Sequence, residues 1–204
     1  MYCFDWIFKG ETACDKYKAV PTEWPNLMKP DVVYEPKSKK DRQFPPMLVE
    51  ILHTVDLKFY LRINEYCLQM LKSYPVPPIV VVIAINTTTQ DILNLMEITN
   101  PDVMFASRLP STCWAKPFHL LNAGTIRPYP AEPLDPLVAV AHFLIEQKQS
   151  LISMELREDT TIQMLFRFAK EIFGGDIGKY DNIVNTLQYV CTSLGSNYLK
   201  QGAH

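Results

Sequence analysis

The segment from Ile79 to Ile85 constrains the fold more than any other part of this sequence. It reads IVVVIAI, a continuous apolar run made almost entirely of β-branched residues. Such a run is typical of a strand that is buried on both faces, because a strand with one solvent-exposed face alternates apolar and polar residues. The segment therefore predicts a strand inside a sheet that helices cover.

The segments before this run predict a strand and a helix. Met47–His53 has the length and composition of a strand, and from Asp56 to Tyr74 apolar residues recur at helical spacing while charged residues line the opposite side. The apolar positions of this helix are Phe59, Ile63, Tyr66, Met70 and Tyr74. Strand, helix and buried strand together predict a βαβ unit, and thus an α/β domain.

The remaining elements are predicted from local patterns. Asp31–Glu35 reads as a strand that pairs with Met47–His53 through a long connection. Downstream we expect a short helix over 88–98, one or two edge strands within 103–130, and three helices at about 135–149, 158–173 and 179–200. The prediction is one domain over residues 1–204, with a core at about 18–130 and a helical C-terminal subdomain at about 134–202.

Composition excludes several classes of protein. No run of about 18 apolar residues occurs, so no membrane association is predicted. The five cysteines are never spaced as CxxC, which argues against a disulfide framework or a zinc site and favours an intracellular protein of the nucleus or cytoplasm. Only seven glycines are present and none forms a phosphate-binding loop. The net charge of -2 gives no global sign of nucleic-acid binding.

Glu50 is the residue that raises a functional question, because it interrupts an otherwise apolar strand. Strand alternation places Glu50 on the same face as Leu52, and pairing with the preceding strand brings Asp31 close. Two acids repel each other unless a cation lies between them, and carboxylate oxygens suit Mg²⁺ or Mn²⁺. The alternatives are that Glu50 pairs with a structural Arg or Lys such as Arg62, and that Asp31 is a turn residue.

Four segments occur in a characteristic order: Lys29-Pro-Asp-Val-Val-Tyr, Leu-Val-Glu50-Ile, Asp56-x-x-Phe59-x-x-Arg62-x-x-x-Tyr66 and Pro-Pro-Ile-Val-Val-Val-Ile. Together they resemble the core of the PD-(D/E)xK nuclease superfamily, and more narrowly its transposase-like and recombination-promoting nucleases. The resemblance covers about residues 29–86, less than a third of the chain.

This resemblance implies a restriction-endonuclease-like mixed β-sheet flanked by helices, and a nuclease that hydrolyses phosphodiester bonds in DNA or RNA. Asp31 and Glu50 would bind Mg²⁺ or Mn²⁺, with the backbone carbonyl of Ile51 as a third ligand. Arg62 and Tyr66, one helical turn apart, match helix residues that the family directs at the site and the DNA backbone.

One position departs from the family pattern. Two residues after the second acid the family has Lys, or often Gln in the transposase-like branch, whereas this chain has Leu52. In the superfamily the lysine sometimes moves to the neighbouring helix, so Lys58 or Arg62 is expected to supply the missing positive charge. The alternative is a degenerate nuclease fold that serves as a nucleic-acid or protein interaction module.

Two further features have structural interpretations beside functional ones. The stripe formed by Met164, Leu165, Phe168 and Ile172 is either a helical core or the surface of a homodimer. His119 and His142 lie among apolar residues and are interpreted as partly buried and hydrogen-bonded rather than as metal ligands.

Overall fold

A computed structural model describes residues 16–20, 30–38, 44–97, 104–129, 134–146, 152 and 154–173. The chain divides into two compact units. One unit is Lys16–Pro128, and the other combines Met1–Asp15 with Tyr129–His204. The prediction of a single domain over the whole chain stays a prediction.

The first unit is built on a six-stranded mixed sheet. Its strands are β1 (Tyr17–Val20), β2 (Val32–Pro36), β3 (Met47–Val55), β4 (Ile79–Thr88), β5 (Ser107–Leu109) and β6 (Phe118–Leu121), in the spatial order β1-β2-β3-β4-β6-β5. The β3–β4 and β4–β6 pairs are parallel and the other neighbours are antiparallel. The helices of this unit are α1 (Leu57–Ser73), α2 (Gln90–Leu95) and α3 (Ala123–Ile126). The predicted α/β class, with a mixed sheet flanked by helices, is confirmed.

Helix α1 connects the parallel strands β3 and β4, as the βαβ pattern predicts. Asp56 caps its first turn, because the carboxylate accepts a hydrogen bond from the Phe59 amide at 2.7 Å. The helix ends at Ser73, before the proline-rich turn that leads into β4. Its apolar stripe packs on one face of the sheet, in a cluster with Leu48, Val80 and Val82.

The prediction that residues 103–130 form edge strands is half wrong. Strand β5 lies at the edge of the sheet, but β6 lies between β4 and β5. All four residues of β6 are buried, including His119. This short strand is interior because it pairs with strands on both sides, and short segments carry too little pattern to reveal that.

The second unit contains α4 (Pro136–Glu146) and α5 (Thr160–Phe173) in its described part. Asp159 holds the start of α5, because its carboxylate accepts hydrogen bonds from the amides of Thr161 and Ile162. Two of the three expected C-terminal helices are therefore present. The third, at 179–200, lies outside the described residues, so a helical C-terminal part as a whole stays a prediction.

The length and polarity of a helix determine whether it can span a membrane. Of all the helices in the described ranges, none combines the length and the apolar character that crossing a bilayer requires.

Candidate active site

The register of β2 and β3 brings Asp31 and Glu50 together. Val32 lies opposite Val49 and Val33 opposite Leu48, so one further step along the antiparallel pair places Asp31 opposite Glu50. Residues opposite each other across two strands project to the same face of the sheet. The juxtaposition that the sequence predicts is thus a consequence of strand pairing.

Two hydrogen bonds connect these acids through the backbone. The Asp31 amide donates to Oε1 of Glu50 at 3.2 Å, and the Ile51 amide donates to Oδ2 of Asp31 at 2.8 Å. These hydrogen bonds hold the Asp31 side chain, just before β2, against the Glu50 side chain in the middle of β3. The Ile51 carbonyl as a metal ligand stays a prediction, since the recorded contact involves its amide.

Burial disfavours the ionised form of both acids, and the charge of Asp31 further disfavours that of Glu50. Glu50 is only 3% exposed, and burial followed by the charge of Asp31 raises its pKa to about 8. Burial also raises the pKa of Asp31, although the Ile51 amide and the charge of Arg62 act in the opposite direction. A buried site of this kind favours a bound proton or a bound cation at neutral pH.

Helix α1 contributes Arg62 and Tyr66 to the same region. The positive charge of Arg62 lowers the pKa of both acids, though less than burial raises them. Its guanidinium lies over the Phe59 ring at 5.4 Å and the Tyr66 ring at 6.0 Å from the centroids. Tyr66 is buried, and burial followed by the charge of Glu50 raises the pKa of its hydroxyl.

The other two candidate positions do not add a charge to the acids. Leu52 is half-buried on the face of β3 that carries Glu50, and it packs against the apolar cluster beneath α1. Lys58 is exposed and is not among the charges that shift the pKa of Asp31 or Glu50. Of the two expected substitutes for the family lysine, Arg62 is the one that acts on the acids.

Sequence reasoning missed Cys67 as a neighbour of this site. The thiol is buried, and burial together with the charge of Glu50 holds its pKa well above the usual range. Such a thiol is protonated and chemically inert. Cys67 lies four residues after Ile63, so helical spacing places it on the apolar stripe of α1, and this spacing could have predicted its burial.

A second buried glutamate in the same sheet behaves differently. Glu35 lies opposite Lys18 in the β1–β2 pair, and Oε1 is 2.9 Å from the lysine ammonium. The hydroxyl of Tyr74 donates to its other carboxylate oxygen at 2.5 Å. Glu35 therefore has the cationic partner that an ordinary buried carboxylate requires, whereas Glu50 lies opposite another acid.

The donor set around Glu50 suits a hard divalent ion. Two carboxylates from adjacent strands supply oxygen ligands and up to two negative charges, which fit Mg²⁺ or Mn²⁺. Comparisons of the chain with protein-family models, with curated proteins and with solved structures find no match.

Proposed function

We propose that this chain is a metal-dependent nuclease of the PD-(D/E)xK type, with a restriction-endonuclease-like core, that hydrolyses phosphodiester bonds in DNA. The observation that carries the proposal is the contact of buried Glu50 with Asp31, whose amide donates to the Glu50 carboxylate. Like charges directly opposite each other destabilise a sheet. A pair of this kind is therefore better explained by a cation that both acids bind than by a structural role.

The proposed chemistry divides between the ion and the protein. Asp31 and Glu50 would hold a divalent ion, which would supply Lewis-acid chemistry toward a phosphate oxygen and a water nucleophile. Arg62, whose guanidinium matches the geometry of phosphate oxygens, orients the backbone of the nucleic acid and offsets its negative charge.

The contrast between Glu35 and Glu50 supports a functional origin for the acid pair. Both are buried glutamates of one hairpin, so burial alone does not require the arrangement seen at Glu50. Glu35 forms an ion pair with Lys18 and accepts a hydrogen bond from the hydroxyl of Tyr74. At Glu50 the chain places Asp31, which increases the cost of burying an ionised carboxylate unless a proton or a divalent ion binds.

A cleavage assay with matched glutamate variants tests the proposal. Linear and circular DNA, and RNA of the same sequence, are incubated with the full chain in Mg²⁺ or Mn²⁺. We expect wild type and Glu35→Gln to cleave DNA, and Glu50→Gln to lose at least about a hundredfold in rate, since it removes a ligand of the ion.

Two outcomes would contradict the proposal. Cleavage that Glu50→Gln and Glu35→Gln reduce equally would mean that the acid pair has no special role. Preferential cleavage of RNA would contradict DNA as the substrate but would leave the proposed site at Asp31 and Glu50 unchanged.

A specific observation also favours the second candidate, a degenerate nuclease fold that binds a nucleic acid or a protein. Leu52 occupies the position of the family lysine, and its half-buried side chain packs against the apolar cluster beneath α1. Leu52→Lys distinguishes the two candidates. Cleavage that appears only in Leu52→Lys would identify the wild-type chain as a binding module, and unchanged cleavage would support Arg62 as the substitute.

A further inference from the structure

Three potential metal ligands meet in the second unit, on residues that the proposed nuclease site does not use. His142 and Glu146 lie one turn apart on α4, and Glu155 lies in the turns before α5. One ligand atom from each residue lies within 4.8 Å of the other two. Residues four apart on a helix project to the same side, so His142 and Glu146 form a two-residue ligand pair.

The imidazole of His142 is buried but not hydrogen-bonded through Nδ1. Its side chain is 10% exposed, and Nδ1 has no hydrogen-bond partner among the described residues. The nearest carboxylate oxygen, Oε1 of Glu146, is 3.5 Å away, longer than an ordinary N–H···O hydrogen bond. Two ligand atoms on one tetrahedral ion, each at about 2.1 Å from it, are separated by about 3.4 Å. The gap between these two atoms therefore fits a shared ion.

The carboxylates of Glu146 and Glu155 lie close together, and no lysine or arginine of the described residues neutralises them. The Glu155 amide donates to both carboxylate oxygens of Glu146, at 3.2 and 3.3 Å, which brings residue 155 against the helix. Arg157, the nearest arginine in sequence, instead contacts the carboxylate of Glu158 and the carbonyl of Ile152. Within the described ranges, no Lys or Arg side chain forms an ion pair with Glu146 or Glu155.

We propose that His142, Glu146 and Glu155 bind one divalent transition-metal ion, with Zn²⁺ binding more tightly than Mn²⁺. One imidazole nitrogen and two carboxylates form a mixed donor set that suits these ions better than Mg²⁺ or Ca²⁺. The charges of the two glutamates balance the ion, and the fourth position is open to water. The ion would fasten α4 to the turns before α5.

The nitrogen ligand separates this site from the all-oxygen site at Asp31 and Glu50. Electron spin-echo envelope modulation of bound Mn²⁺ detects a directly coordinated nitrogen. We expect nitrogen modulation in the full-length wild type and in Glu50→Gln, and its loss in His142→Gln. Added Zn²⁺ should displace the nitrogen-coordinated Mn²⁺, because Zn²⁺ forms stronger complexes with such ligands. Bound Mn²⁺ without nitrogen modulation in wild type would overturn the proposal.

A second measurement avoids the buried histidine, whose replacement can disturb folding. Glu155 and Glu158 are both exposed and lie in the same stretch of chain, so Glu155→Gln and Glu158→Gln form a matched pair. We expect Glu155→Gln to weaken Zn²⁺ binding at least about tenfold by calorimetry, and Glu158→Gln to leave it unchanged. Equal affinities in the two variants would overturn the proposal. The nuclease proposal is unaffected by either result, since its residues are different.

Discussion

Two buried glutamates on neighbouring strands, Glu35 on β2 and Glu50 on β3, have neighbours of opposite charge. At one place Lys18 lies opposite Glu35 and forms an ion pair with it. At the other, Asp31 approaches Glu50 across the next pair of strands. Opposite charges across two strands stabilise a sheet modestly, and like charges in the same geometry destabilise it.

The difference shows how a structural acid can be told from a candidate ligand. Burial is similar for both glutamates, so it does not distinguish them. The identity of the neighbour does distinguish them: Glu35 contacts a lysine and a tyrosine hydroxyl, while Glu50 contacts an acid and feels the charge of Arg62. Glu35 has a cationic partner in Lys18, whereas burial and the charge of Asp31 make Glu50 favour a bound proton or an added cation.

The largest expected effect is on the pH dependence of stability. The pKa of Glu50 rises from 4.5 to about 8 on folding, so the folded state binds the proton more tightly than the unfolded state. The resulting stabilisation is fully present below about pH 4.5 and is lost as pH rises to about 8, on the order of 4 kcal/mol. Urea unfolding of the metal-free protein at pH 5 and pH 8 measures it.

Glu50→Gln is the variant that isolates this effect, because it removes the titrating group and keeps the shape. We expect it to flatten the loss between pH 5 and pH 8, and Mn²⁺ added to wild type at pH 8 to restore stability. If wild type and Glu50→Gln lose equal stability over this pH range, the pKa of Glu50 is not raised on folding as we expect.

A smaller effect is expected from the cations of α1. Arg62 acts on both acids and Lys58 on neither, although both belong to the same exposed side of the helix. For the proposed nuclease, Arg62→Ala should lower kcat/KM for DNA cleavage about 10- to 100-fold, or about 1.4–2.7 kcal/mol, because it removes the positive charge that we propose faces the phosphate. Lys58→Ala is the matched control and should change it less than about twofold. A larger loss from Lys58→Ala would assign the role to the lysine.

The smallest effect is expected at the ion pair of Glu35 with Lys18. Glu35→Gln should lower the free energy of unfolding by about 1 kcal/mol, since Lys18 is more than half exposed and the amide still accepts from Tyr74. The same change at Glu50 should raise the stability of the metal-free protein at pH 8. Denaturant unfolding of the two variants measures both changes in the free energy of unfolding. Destabilisation by Glu50→Gln would show that Glu50, like Glu35, contributes to the stability of the sheet.

The sequence predicted much of the sheet because its patterns are strong between residues 31 and 88. The apolar run of β4 and the helical period of α1 each indicate one kind of element. The strands extend further than predicted, to Val55 and Thr88, because Thr54 and Thr87 pair in the parallel ladder although they are not apolar. The interior position of β6 depends on long-range pairing, which a four-residue segment does not encode.

The candidate site was predictable only in part. The approach of Asp31 to Glu50 follows from alternation and hairpin pairing, both of which are local rules. Whether Lys58 or Arg62 acts on the acids depends on how the helix is rotated above the sheet, and the sequence left both open. The cluster of His142, Glu146 and Glu155 was missed because His142 was interpreted as hydrogen-bonded. It was also missed because Glu155 is far from His142 in sequence and approaches it only through the turns before α5.

Mn²⁺ binding measured by calorimetry at pH 8 tests the acid pair most directly. The measurement is made in the Glu155→Gln background, so that the cluster on α4 contributes little heat. Coordination by Asp31 and Glu50 predicts that Asp31→Asn weakens Mn²⁺ binding at least about a hundredfold while Glu35→Gln leaves the affinity unchanged. Equal Mn²⁺ affinity in the parent protein, Asp31→Asn and Glu35→Gln would contradict it.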